Sequence, residues 1–301
     1  MPTWLVLATA VSLIYSVINL IDKGILDRYL KDGGAEVLLV FSCIFASFGI
    51  PYAIYMEPGV LNIKHENLAI MLVVALLNVT LLYCYLKAME DKNEDPAVII
   101  FYYQLVPVFS AVIGYFVLGE TITTTEKVAM ALIIGGTTVA SFERSDDKKL
   151  SFRLRTFMLM TIATTCWATE MVIGKIVILD ESVYRSIFWE STMMVLVGVV
   201  ILVTRPRYRQ CFVSAVRVNS KPILALMLLG EALYAAGNTL SAHSSEIKEV
   251  AMVMLTQPLQ TIFVFLLSLS LAYVYPHIYG KPTRFRLIQM AIAIPVAFAG
   301  T

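Results

Sequence analysis

A glutamate stands in the middle of a hydrophobic helix. Residues 155–169, RTFMLMTIATTCWAT, read as one apolar helix, and the overlapping stretch WATEMVIGKIVILD (167–180) sets Glu170 inside it. Glu231 lies near the centre of another apolar run, and Glu190 sits about two turns into a third. A carboxylate at the centre of a bilayer costs about 2.5–3.5 kcal/mol on insertion scales. Such a residue faces a cavity or a partner. Two kinds of chemistry suit it: compensating a charged cargo, or exchanging a proton, since removal from water favours the neutral carboxyl. The plain alternative is a structural hydrogen bond to a neighbouring helix.

Helical spacing gives these carboxyls company. Trp167 precedes Glu170 by three residues, and Glu231, Tyr234 and Asn238 follow i, i+3, i+7 on one face. Tyr15, Asn19 and Lys23 form an i, i+4, i+8 stripe, and Tyr102, Tyr103 and Gln104 stand together. Aromatic stripes are commonly packing, but rings beside a buried carboxylate suit an organic cation or an amine. Gln104 lies close to Pro107, and Gln257 beside Pro258. An amide is costly in lipid when unpaired, and a proline frees a backbone carbonyl and bends its helix. The pair is expected either to contact cargo at a moving kink or to hold helices together. Lys23 and Lys175 are expected to snorkel from helix ends, the rival being a charged gate with Asp22, Asp27 or Asp180.

The elements that must position these residues are membrane spans. Of 301 residues, 58% are hydrophobic and 15% charged, against about 25% charged in soluble domains. A net charge of +1 offers no basic patch for nucleic acid. The four cysteines match no metal or redox spacing, the three histidines form no ligand pair, and no phosphate-binding loop motif occurs. No cofactor is expected. The first apolar run lacks a basic leader and a cleavage site, so it reads as a span and not as a signal peptide.

Runs long enough to cross about 30 Å of hydrocarbon fall near 3–22, 36–56, 67–87, 96–118, 126–142, 155–178, 184–204, 222–242, 248–274 and 286–300. The expected fold is therefore an all-α integral membrane protein of ten helices, with loops at 143–154 and 205–221. The chain also repeats itself. At one constant offset Tyr15 falls on Trp167 and Lys23 on Lys175, each lysine leading into I-L-D (YSVINLIDKGILD, 15–27). At an offset one residue longer, Asn78 falls on Glu231 and Gln104 on Gln257. The halves 1–146 and 147–301 then hold five spans each. An odd number per repeat inverts the second copy, a plan common in secondary transporters. Ala131, Gly135 and Gly136 in the fifth span are expected to permit close helix packing.

The segment 88–141, with Pro107 in mid-span, Leu118-Gly119-Glu120 and Gly135-Gly136, resembles the EamA pattern of the drug/metabolite transporter superfamily. The second copy keeps Gln257-Pro258 but no L-G-E. The resemblance implies a ten-helix carrier with a central cavity and both termini in the cytoplasm. The charge count implies the reverse, because the odd-numbered connections hold 18 of the 23 Lys and Arg and positive loops stay inside.

The expected function is secondary active transport of a small metabolite (an amino acid, an amine or a related organic cation) by alternating access, with proton coupling through Glu170, Glu231 or Glu190. The expected cargo contacts are Glu170, Glu231, Gln104, Gln257, Trp167, Tyr103, Tyr234, Asn78, Asn238 and Tyr15. The protein is expected in the plasma or inner membrane, surrounded by lipid, as a monomer or homodimer. A non-transporting receptor or assembly component is the second class. An intramembrane enzyme is the third, and it would require a catalytic set of which only Ser241 and His243 hint.

Overall fold

The computed structural model describes residues 3–30, 33–91, 96–117, 124–140, 142–144, 150–218, 221–248, 253 and 256–274. Twelve helices run through them: α1 (Thr3–Arg28), α2 (Gly34–Phe45), α3 (Gly49–Met56), α4 (His65–Met89), α5 (Pro96–Phe101), α6 (Leu105–Val117), α7 (Thr124–Ala140), α8 (Leu154–Asp180), α9 (Val183–Thr204), α10 (Pro206–Val218), α11 (Lys221–Ile247) and α12 (Gln257–Val274). A short antiparallel pair, Phe142–Arg144 with Leu150–Phe152, joins α7 to α8.

Seven of these segments are long and apolar enough to cross a membrane: Thr3–Arg28, Gly34–Met56, His65–Met89, Val98–Val117, Leu154–Asp180, Val183–Thr204 and Lys221–Ile247. Leu259–Tyr273 is a shorter apolar helix. Of the expected ten, the run at 286–300 lies outside the described residues, as do Leu118-Gly119-Glu120. The connection at 205–221 is not the expected loop. Pro206 opens α10 there, as proline favours a first helical turn, and the helix packs on α2 and α9.

In hydrocarbon a polar group needs a partner within the protein. The hydroxyls of Thr9, Ser16, Thr80, Thr165, Thr169 and Thr192 each donate to the carbonyl four residues earlier, at 2.6–2.8 Å. The threonine-rich TIATTCWAT is therefore helix with its own hydrogen bonds, not a turn. Ser182 caps α9 by accepting from the Arg185 N–H at 3.1 Å.

Two spans are broken at the same spacing. A 3-10 turn, Ala46–Phe48, separates α2 from α3, and another, Tyr102–Gln104, separates α5 from α6. In each case a proline, Pro51 or Pro107, is the third residue of the helix that follows. Proline donates no N–H, so the i−4 carbonyl lacks its helical partner and the preceding turn tightens. The expected break at Pro107 is thus present, and a second lies at Pro51.

α4 packs along α8, and α1 along α11; α4 also meets α9, and α6 meets α8. Lys23 does not snorkel. It is 4% exposed, donates to the Met89 and Asp91 carbonyls at 3.0 and 2.8 Å, and pairs with Asp27 at 3.1 Å. It ties the end of α1 to the end of α4. Lys175 donates in the same manner to the Lys248 carbonyl just beyond α11, at 2.9 Å. Gly135 has nothing within 4 Å of where a Cβ would stand, so it is not the close-packing residue expected. Gly198 is one. A Cβ there would fall 2.6 Å from Cys43 Cβ, which fixes how closely α9 approaches α2.

Gly198→Ala is accordingly expected to lower stability by about 1–3 kcal/mol, the usual cost of overpacking, read as a fall in Tm of the purified protein. An unchanged Tm would mean that α9 can move off α2 at no cost.

Candidate functional site

α1 turns Tyr15, Asn19 and Asp22, not Lys23, toward a cavity that is partly open to solvent. The helix repeat explains the change from the expected stripe. Position i+7 returns to the face of i, whereas i+8 lies about 100° further round, where Lys23 meets α4. Asp22 is the site residue that the sequence reading missed. Standing beside Lys23 near an I-L-D, it had the look of a helix end, but α1 runs on to Arg28. Tyr85 of α4 places its hydroxyl 2.8 Å from Asn19 Oδ1 and 3.1 Å from Asp22 Oδ2. Its single proton serves both acceptors.

Glu231 also lines the cavity, and Ser42 of α2 donates to its Oε1 at 2.6 Å. Glu170 lines it too, 7% exposed, with Oε2 buried and without a hydrogen-bond partner. Asn78 of α4 gathers the deeper groups. Its amide nitrogen lies 3.4 Å from Glu170 Oε1, 3.4 Å from Glu190 Oε1 and 3.1 Å from the Tyr234 hydroxyl. Asn238 donates to the same Glu190 oxygen at 3.1 Å. Glu190 and Asn78 border smaller adjoining spaces and not the main cavity.

Aromatic rings form the wall. Tyr15 stacks on Tyr234 with centroids 6.0 Å apart and meets Trp167 edge-on at 6.3 Å. Tyr103 meets Trp167 at 4.9 Å and Tyr85 at 6.2 Å. Gly237 makes room for Tyr15, since a Cβ there would come within 2.6 Å of the ring.

Among the residues expected to touch cargo, Tyr15, Tyr103, Trp167, Glu170, Glu231, Tyr234 and Asn238 come together around this cavity. Gln104 does not. It is 1% exposed and donates to Thr261 of α12 at 2.9 Å, an interhelical bond. Gln260, which no spacing argument singled out, takes a place in the wall with its Oε1 unpartnered. The side chain of Gln257 lies outside the described residues. Among the described residues no three His, Cys, Asp or Glu are grouped to hold a metal ion.

The helix ends on one side of the molecule are tied by ions. Lys64 pairs with Asp180 at 2.6 Å, and Asn67 donates to Asp180 and Glu181 at 2.7 and 2.9 Å. Arg185 bridges Glu57 and Glu181, each at 2.8 Å. The Lys64 N–H, then the Asn67 amide, hold the Glu181 carboxyl below the ordinary glutamate range. A lowered pKa means that this tie persists at neutral pH and is lost only as acid protonates Glu181. At the opposite end Lys87 pairs with Glu36 and Glu90 at 3.0 and 2.8 Å, whereas Arg155–Asp91 and Arg207–Glu36 are longer, 3.7 and 3.5 Å, with arginines 66% and 74% exposed. Such exposed pairs contribute little.

Long apolar helices around a polar interior define an integral membrane protein. Residues 2–142 match the model of the EamA-like transporter family, a match consistent with the drug/metabolite transporter superfamily and with a membrane transporter of that type. A solved structure described as "Crystal structure of protein" is similar over 98% of this chain and 95% of its own, with a TM-score of 0.64 and 14% identity. At that identity the likeness shows a shared fold. No curated protein matches the chain.

Gln104→Leu is expected to lower Tm, by an amount equivalent to about 0.6–1.7 kcal/mol for an interhelical bond in a membrane, with cargo affinity retained. A loss of affinity at unchanged Tm would make Gln104 a cargo contact. Arg185→Met should speed amide hydrogen exchange in the 57–64 turn and at the start of α9, as the tie between Glu57 and Glu181 is removed; wild-type exchange there would show that the ions hold nothing closed.

Proposed function

We propose that the protein is a secondary transporter of a small amine or related organic cation. The observation that carries this reading is the make-up of the cavity wall: Asp22, Glu170 and Glu231, with tyrosine and tryptophan rings, and no Lys, Arg or His among its described lining. Carboxylates attract a cation over distance, and ring faces hold it once its water is shed.

Transport proceeds by alternating access between two inverted halves. Support comes from the sequence offset and from two pairings that the offset exchanges. The pairing of α4 with α8 maps onto that of α11 with α1. Lys23 reaching the end of α4 maps onto Lys175 reaching the end of α11. The end carrying Lys64, Asp180, Glu181 and Arg185 is the closed gate in this state, and opening it breaks those ion pairs. The breaks at Pro51 and Pro107 supply bending points, since neither carries a complete helical ladder.

Glu170 couples the cycle to protons. Its counterpart in the first half is Ile18, so the helix itself requires no charge at that position. With cargo present, the ionised form is compensated. Without cargo, a proton takes that place, and the two ligands compete by linkage.

The test is uptake into liposomes by purified protein, with amines as the probe and with or without a proton gradient. Glu231→Gln is expected to lower uptake about tenfold to a hundredfold, the equivalent of about 1.5–3 kcal/mol for losing a charged hydrogen-bond partner, while Tm changes little. Amine affinity in the wild type is expected to rise with pH across the neutral range, and to be flat in Glu170→Gln. Uptake of no amine would remove the cation reading, and equal pH slopes in both proteins would leave Glu170 a structural group.

A further inference from the structure

The carboxylates of the cavity are not clustered; they are spread along it, and α4 provides the ruler. Asn78 is bonded to Glu170, and Tyr85 to Asp22. Seven helical residues separate these two side chains, a rise of about 10.5 Å. Glu231 lies between these levels. It precedes Tyr234, which is bonded to Asn78, by one turn of α11, a rise of about 4.5 Å. α11 runs antiparallel to α4, so that turn leads toward the Asp22 end.

Apolar side chains line the cavity between the two end levels, Ile18 on α1 and Leu81 and Leu82 on α4. Along the cavity Asp22 and Glu170 thus stand at the two ends, with apolar side chains between them and Glu231 at one side of that middle zone. Lys23, next to Asp22 in the chain, is turned away and engaged with Asp27 and two carbonyls, so it does not offset Asp22. Two acceptors on cavity-lining residues, Glu170 Oε2 and Gln260 Oε1, have no hydrogen-bond partner, and each residue is more than nine-tenths buried. An orphaned acceptor in a buried site calls for a donor that the protein itself does not supply.

We infer that the cargo is a linear dication, a diamine whose ammonium groups sit at the Asp22 level and at the Glu170 level with its methylene chain against Ile18, Leu81 and Leu82. This deepens the cation-transport reading and rests on it. A monocation offsets one of three cavity carboxylates. Two ammonium groups offset two, one at each end of the cavity. The ammonium groups also provide several N–H donors at each end, where Asp22 shares a single Tyr85 proton with Asn19 and Glu170 Oε2 has none.

The experiment is a binding series on the wild-type protein in nanodiscs, by thermal shift and calorimetry, with straight-chain diamines from butane- to decane-diamine and the monoamines of equal length. The expected result is a diamine that binds about tenfold or more tightly than its matched monoamine, as a second charged hydrogen-bonded group would give, with the advantage greatest at an intermediate length. Asp22→Asn is then expected to shrink that advantage several-fold, weakening diamines more than monoamines. Because the length series uses the wild type, it decides the matter even if the variant fails to fold. Equal affinities for diamine and monoamine, or affinity that climbs steadily with chain length for both, would overturn the dication while leaving a monocation transporter. No binding by either series would overturn the cation reading itself.

Discussion

An ionisable carboxyl inside a bilayer persists only if something answers its charge. Asp22, Glu170, Glu190 and Glu231 lie well inside the spans of this protein, and much of the architecture follows from accommodating them. Asn78 spreads one amide over two glutamates and a tyrosine, Asn238 supports Glu190, Ser42 supports Glu231, and Tyr85 supports Asp22. These are neutral donors. They solvate the carboxyls without cancelling them, so the interior keeps a field that a cation or a proton can answer.

Cationic side chains are instead placed at the ends. Lys23 and Lys175 bind carbonyls where α4 and α11 finish. Orphan C-terminal carbonyls are natural partners for an ammonium. Lys64 and Arg185 tie acids across the helix ends on one side. The separation has a functional sense. On the proposed function, neutral donors in the middle leave the carboxyls free to meet cargo, whereas ion pairs at the ends can be made and broken near water, where desolvation costs are smaller.

The packing makes the same division. Direct contacts such as Gly198 on Cys43, and Gly237 under Tyr15, fix helix positions closely. The 3-10 turns before Pro51 and Pro107 interrupt two spans near their middles. Rigid contacts next to weakened ladders are what a protein that rearranges in the membrane requires, because packed faces move as units and broken ladders take up the bend.

Much of this was legible in the residues. Composition and run length gave the membrane class and most of the spans, because hydrocarbon thickness dictates length and leaves little choice of backbone structure. Helical spacing gathered Trp167 with Glu170, and Glu231 with Tyr234 and Asn238, since one period governs every helix. What the residues alone did not reveal was which neighbour each polar group meets. Gln104 and Gln260 are both amides in apolar helices, yet one is spent on Thr261 and the other faces the cavity. Lys23 and Asp22 are adjacent, yet their side chains leave α1 about 100° apart, one toward the end of α4 and one toward the cavity. Those assignments depend on how α1, α4, α8 and α11 are rotated against one another. That rotation is settled by the sum of many contacts between distant segments, and so by the tertiary structure alone.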